Sequence, residues 1–429
     1  MTASASAAAA QGPTGAGAEA GASGGATVGK GVAGRREFVG LIAACMGLTA
    51  VGIDAVLPAF GRIRSDFGLP EGSTSVSWVI TAYFLGLAFG QLFYGPLSDR
   101  FGRKPLLYVG LGLYIAGGVG SALAPTLTVL VLCRVVGGLG AAGPRSLAIA
   151  MVRDRFEGEM MARTMSFAMA VFLLVPVVAP SLGAVALQVA SWPAIFWGTV
   201  VGAAALLVWS RRLPETLPPE RRRTSGVSDL ANAAGVVIRT RPTVAYGLAA
   251  MCLFGSMAAY LGNSEVIIDE VFGHGPQFPL VFGALAVGMG LATLLSARLV
   301  VVLGLRKLLR VLSLTLVAVA AVFAAVATVT DGRPPFWAFC AIMAVLLPLH
   351  PTLLPNCNTA AMGPVGRVAG MAAAMLGTVS TAGGAILGSL VDGAYDGTVR
   401  PLAYAVLLFA TLAATLIYIA DRTSFRPLD

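Results

Sequence analysis

The sequence predicts an all-α membrane protein whose twelve transmembrane helices form two pseudo-symmetric six-helix bundles. Three observations carry that expectation: too little charge for a water-facing skin, apolar stretches of spanning length that group six and six, and basic residues confined to alternate loops. Of 429 residues, 57% are hydrophobic and only 11% charged, against about 25% charged in soluble domains. A chain of this size in water needs a charged surface around its cores. This composition cannot supply one, so lipid is the better solvent.

A helix crossing a ~30 Å hydrocarbon core needs about 20 apolar residues. Such stretches fall near 38–60, 75–97, 105–124, 126–152, 163–187 and 191–210, and resume near 243–270, 277–303, 306–329, 335–360, 367–392 and 399–420. The interruption carries Arg211, Arg212, Arg221, Arg222, Arg223, Arg239 and Arg241 with Pro214, Pro218 and Pro219, and reads as a solvated linker. The domain plan is a tail over 1–34, a bundle over 35–210, a basic linker over 211–241, a second bundle over 242–421 and a short tail over 422–429. The Ala/Gly/Ser/Thr-rich first tail is expected to be disordered. It lacks the basic start and apolar core of a secretory signal, so the first helix is expected to insert as its own anchor.

An even number of spans puts both termini on one side, and the positive-inside rule identifies that side. Lys30, Arg35, Arg36, Arg100, Arg103, Lys104, Arg153, Arg155, Arg163, the linker arginines, Arg306, Lys307, Arg310, Arg367, Arg422 and Arg426 share it; the opposite loops hold Arg62, Arg64, Arg333 and Arg400. Both termini are therefore expected in the cytoplasm, with the chain in the cell (inner) membrane. The net charge of +9 is a topology signal, and no nucleic-acid partner is expected.

Several chemistries are excluded. Cys45, Cys133, Cys252, Cys340 and Cys357 are scattered without a CxxC pair, and the two histidines, His274 and His350, give a metal little to bind. No metal or organic cofactor is expected. The GxxxxGK match at 24–31 lacks the closing Ser/Thr and a preceding strand, so it predicts no nucleotide site. The Gly138-x-Gly140-x-x-Gly143 run matches a dinucleotide fingerprint but lies inside an apolar span, where small residues let helices pack closely. No nucleophile–base pairing is visible, and an enzyme or an appended sensor is disfavoured.

The halves repeat. Gly102 and Gly304 lie 202 residues apart in equivalent loops, SDRFGRKPLL and VVVLGLRKLL, while Arg163 and Arg367 open the fifth and eleventh spans 204 apart. Two related bundles can rock about a midplane cavity and open it to alternate faces.

The run Gly95-Pro96-Leu97-Ser98-Asp99-Arg100-Phe101-Gly102-Arg103-Lys104 resembles the loop between spans two and three of the major facilitator superfamily. It suits a latch: Gly95 and Gly102 allow close approach and a tight turn, and Asp99 can pair with Arg103, with Asp154 as a further partner. IDAVLPAF, QLFYGPLSDRFGRKP, LCRVVGGLGAAG, AMVRD and PVVAPSLGA extend the likeness over about residues 38–420, toward the bicyclomycin-resistance/chloramphenicol-efflux type. Two positions depart from that type: Arg145 stands a turn before Ile149, where a polar or basic residue is common, and Ala184 replaces a second glycine. The resemblance implies a twelve-span exporter that exchanges protons for hydrophobic or amphipathic drug-like molecules; a monomer is expected to suffice. It also implies a gating role for Pro176, Pro180 and Gly183, and a part in proton transfer for Arg134. An importer of a nutrient or metabolite with the same fold is the alternative.

Charges inside a membrane cost roughly 2.5–3.5 kcal/mol each at a helix centre. Asp54 stands about 24 Å into the first span at 1.5 Å per residue; taking up a proton removes its charge, which makes it the candidate proton carrier. An arginine cannot release its proton, so Arg134 is expected to tune an acid or grip polar substrate groups. Arg145 falls on the same face of the fourth span. Glu265 and Asp269 form an i,i+4 acidic pair, and counting along the seventh span puts Glu265 at the solvated outer end. Tyr83, Arg145, Met169, Phe172, Glu265 and Asp269 are the candidate cavity residues.

Overall fold

The computed structural model describes residues 34–222 and 227–423. The first tail with its GxxxxGK match, residues 223–226 and the last six residues lie outside the described part. Among the described residues there are helices and connecting turns, and no strand.

The spans are Arg35–Asp66, Trp78–Phe101, Arg103–Ala122, Leu127–Arg155, Gly158–Val189, Pro193–Ser210, Arg241–Val266, Phe278–Leu303, Leu305–Val329, Phe336–Met362, 369–393 and Arg400–Thr423. Eleven continuous apolar runs are long enough to cross a membrane, and one of them, Phe336–Gly393, has 58 residues. It makes two spans because Gly363 and Pro364 start a tighter turn in which Val365 leaves helical geometry (φ −115°, ψ 28°). The first span is likewise regular only to Asp54; Pro58 follows, in a 3₁₀ turn at Leu57–Ala59. Prolines stand in the first turn of the sixth, seventh and eighth spans, where no N–H is missed.

The repeat is visible in the backbone. Gly102 (φ 100°, ψ 159°) and Gly304 (φ 78°, ψ 151°) each end one span and begin the next as single-residue turns. L-residues rarely adopt that conformation, so glycine is needed at both places. The glycines of the fourth span serve packing. A Cβ on Gly138 would lie 2.1 Å from Tyr83 O of the second span, and one on Gly140 2.2 Å from Tyr114 N of the third.

Each bundle is fastened from its first helix to its last at the basic end. Glu37 pairs with Arg212 Nε at 2.9 Å and accepts from Trp209 at 3.1 Å. Tyr246 donates to Asp421 Oδ1 at 2.6 Å, whose other oxygen takes Arg310 at 2.5 Å. Tyr246 lies 209 residues after Glu37, and Asp421 lies 209 after Arg212. The duplication kept the fastening while its chemistry diverged. The described part of the linker is more than a solvated strap. It carries a helix, Val227–Arg239, whose Val237 is buried against Val365 and Ala372 at the foot of the eleventh span.

Candidate functional site

Away from the basic end, two places among the described residues combine burial with charge: the end of the first span, and the seam between bundles.

Asp54 ends the helix Arg35–Asp54 that opens the first span and is only 5% exposed. Among the described residues, none makes a hydrogen bond or ion pair with its carboxyl. Arg134 is also buried, and it spends its guanidinium on backbone: Nη2 donates to Gly52 O at 2.6 Å and Nε to Val79 O at 3.0 Å. Its Cζ lies 4.2 Å from the centre of the Tyr83 ring and 5.7 Å from that of Phe196. Carbonyl dipoles and aromatic faces thus hold the cation. Arg134 reaches the first span two residues before Asp54, yet no ion pair joins them. Tyr83, which the sequence places among the cavity residues, is fully buried. Its hydroxyl donates to Thr49 O at 3.1 Å, so its contacts are with Arg134 and the first span.

The fifth span meets this turn directly. A Cβ on Gly183 would stand 2.2 Å from Ala55 O, the residue after Asp54. The helix runs unbroken through Pro176 and Pro180. Eleven residues beyond Arg134, toward the basic end of the fourth span, Arg145 sits 5.7 Å from the Phe172 ring, and Met169 is exposed nearby in sequence on the same helix as Phe172.

At the seam, Arg64 crosses between bundles. It meets Glu265 at 3.0 Å and Glu270 at 3.8 Å, and donates to Ser73 O at 3.0 Å. The expectation that Glu265 is solvated is corrected: Arg64 covers it, and Glu265 is 7% exposed. Span counting sees only how far along its own helix a residue stands, and misses a partner 201 residues away. Asp269, by contrast, is exposed. Thr74 Oγ1 donates to Asp392 O of the eleventh span at 2.7 Å, Phe84 meets Phe254 edge-on at 5.0 Å, and Thr378 Oγ1 reaches Ala88 O at 2.9 Å near mid-height. These contacts lie from the middle of the bundles to the end away from the basic loops. At the basic end a cavity of about 930 Å³ opens beside the starts of the first and fifth spans, lined by Arg35, Arg36, Arg163 and Phe167 among others.

Residues 42–389 match the Major Facilitator Superfamily. The chain belongs to that superfamily. A bicyclomycin resistance protein homolog of Haemophilus influenzae is 30% identical over 366 residues, covering 83% of this chain and 89% of the relative. An uncharacterised MFS-type transporter of Bacillus subtilis is 28% identical over 375 residues, 86% of this chain and 92% of that one. A multidrug resistance protein of Escherichia coli, MdtL, is 33% identical over 172 residues, 40% of this chain and 44% of the relative. The solved xylose transporter XylE, in a partially occluded inward open conformation, aligns with a TM-score of 0.68 at 15% identity, covering 91% of this chain and 98% of that one. That likeness shows the fold. The protein is a multi-pass membrane transporter and not an enzyme.

In this superfamily member the loop after the second span is tied to both the fourth span and the linker. Arg103 Nη1 bonds Asp99 Oδ1 at 2.6 Å and Ser98 Oγ at 2.6 Å, while Nε bonds Asp154 Oδ2 at 3.0 Å. Glu215 of the linker accepts from the N–H groups of Arg103 and Lys104 at 3.0 and 3.1 Å, filling the free donors at the start of the third span. A Cβ on Gly102 would lie 2.7 Å from Glu215 Oε2. Lys104 Nζ donates to Arg211 O at 2.9 Å; Arg100 is exposed and lies over Phe101 at 5.3 Å, and Gly95 has open space around it. His350 is buried and packed. Because a carbonyl can only accept, Nδ1 carries the hydrogen toward Leu346 O at 3.1 Å, and Nε2 accepts from Ser256 at 2.9 Å.

Arg64, Glu215 and Asp392 escape the sequence reading. Arg64 had one signal, being among the few basic residues on the uncharged side. Asp392 had another, an acid within an apolar segment.

Proposed function

We propose that the chain is a proton-driven exporter that exchanges protons for hydrophobic or amphipathic drug-like molecules, set in the cell membrane with both termini cytoplasmic. The observation that carries this reading is Asp54, a buried carboxyl with no partner among the described residues, two residues beyond the Gly52 carbonyl that engages Arg134. A carboxyl left free in this way can gain and lose a proton without first breaking an ion pair. The bicyclomycin and multidrug resistance relatives support the substrate class.

On this reading the sealed seam faces outward, and substrate arrives from the cytoplasm at the basic end. Substrate enters between the bundles, the outer seam parts, and a proton reaching Asp54 returns the empty carrier inward. Magnitudes allow it. One charge moving through 100 mV supplies about 2.3 kcal/mol, and one pH unit about 1.4 kcal/mol. A neutral drug exchanged for one proton can therefore be concentrated outward some hundreds-fold.

Efflux of a fluorescent amphipathic cation from an efflux-deficient bacterial host tests this, comparing wild type and Asp54→Asn with and without an uncoupler. Wild type should pump uphill and stop on uncoupling, and Asp54→Asn should lose uphill export while remaining in the membrane. Uphill pumping by the mutant would move the coupling proton to another residue. Net accumulation of solute by wild type would replace export with proton-coupled import.

A further inference from the structure

We propose that Asp392 is a second proton-binding carboxyl, one that takes up a proton as the seam closes and releases it as the seam opens. Its use in the transport cycle rests on the antiport reading; its existence does not.

Asp392 ends the eleventh span and is 3% exposed. One oxygen accepts from Asn263 Nδ2 at 2.6 Å. The other lies against the seventh span, where a Cβ on Gly262 would stand 2.2 Å from Oδ2, so the glycine makes room for the carboxyl. Its own carbonyl accepts from Thr74 of the opposite bundle at 2.7 Å, which places it in the seam that must part.

No cation serves it among the described residues. The elements packed on this end of the eleventh span are the seventh span, the Thr74–Ser77 turn with the second span, the Val379–Gly383 turn and the twelfth span. The seventh span brings Tyr260 and Glu265, and Glu265 is spent on Arg64. The second span brings Tyr83, engaged with Arg134 and Thr49. The twelfth brings Arg400, paired with Asp331 at 2.8 Å. The two turns bring no titratable group.

Ser77 Oγ from the opposite bundle stands beside the carboxyl, and Asn263 Oδ1, on the side chain that donates to it, is buried without a partner among the described residues. A carboxylate buried without a cation is costly, and such groups shed their charge by binding a proton. A proton on Asp392 removes that charge and adds one O–H donor within this polar group. Parting the seam removes Thr74 and admits water, which hydrates the carboxylate and takes the proton to the solution on that side. Asp392 therefore gates with a proton from the side it seals, while Asp54 carries the transported one.

The test uses the full chain, substrate-free in nanodiscs. It combines the infrared carbonyl band of a protonated carboxylic acid with the distance between spin labels at exposed Glu71 and Ala394, the five native cysteines being replaced. Acid should bring the labels together in wild type. Asp392→Asn should lose one acid band and hold the short distance at every pH, while Asp54→Asn keeps the Asp392 band and the acid-induced approach. Asp392→Glu should keep a band at a shifted position, which shows that the site still folds. An unchanged band in Asp392→Asn, or an unchanged pH response, overturns the proposal, as does loss of the band on adding sodium at fixed pH. None of these readouts needs a transported molecule, so failure of the efflux assay leaves them standing.

Discussion

Gly138→Val is expected to remove nearly all folded protein from the membrane. The glycine touches the backbone of the second span so closely that a Cβ would sit 2.1 Å from Tyr83 O, and Gly86 meets Val135 O at the same 2.1 Å from the other side. In a bilayer such small-residue contacts are a main source of helix association. A β-branched side chain there forces two helices apart along their length. Overpacking in ordinary cores costs about 1–3 kcal/mol, and a clash with backbone, which cannot swing aside, belongs beyond that range. Gly112→Val is the control, because a Cβ at 112 meets nothing within 4 Å. Monodisperse yield on size exclusion should fall more than about tenfold for G138V and hold for G112V. Wild-type yield and melting temperature in G138V would mean that the spans can re-register around the added bulk.

The second large effect is expected at Arg64. Removing one member of a buried ion pair costs about 3–5 kcal/mol, because the other is left buried and uncompensated. Arg64→Glu goes further, setting a carboxylate against Glu265 and Glu270, which lie 3.0 and 3.8 Å from the native guanidinium. The pair joins the two bundles, so its loss acts on the sealed state. The balance between sealed and open should shift by at least about a hundredfold toward open, read as a longer separation of labels at Glu71 and Ala394. Exchanging the charges, Arg64→Glu with Glu265→Arg, should recover most of the sealed population. A single mutant that stays sealed would assign the closure to the apolar contacts, such as Phe84 on Phe254 at 5.0 Å.

The sequence carries the spans because hydrocarbon thickness imposes a length on each of them, and the tenth and eleventh separate at Gly363-Pro364 for a reason visible in the letters. Gly102 and Gly304 announce the repeat because a one-residue turn leaves few choices of side chain. Asp54 and Arg134 stand out through the cost of charge in lipid, but that cost does not say whether two such groups pair, and here they do not. Arg64 with Glu265 is a contact between halves, and nothing local to either residue encodes it. Glu215 reads as one more charge in a basic, proline-rich linker until the start of the third span is placed beneath it. The linker helix is hidden in the same way, since its buried face is short and its partners lie over a hundred residues away.

The way the linker divides its attachments makes the protein severable. Up to Arg212, Glu215 and Thr216 it is bonded to the first bundle, and from Val227 onward its helix rests on the second. Each bundle also closes on itself, through Glu37 with Arg212 and through Tyr246 with Asp421. Covalent continuity between Arg222 and Val227 is then a convenience of synthesis. Two separately translated polypeptides, cut there and co-expressed, should reassemble into one carrier, much as two unfused ancestral subunits would have done.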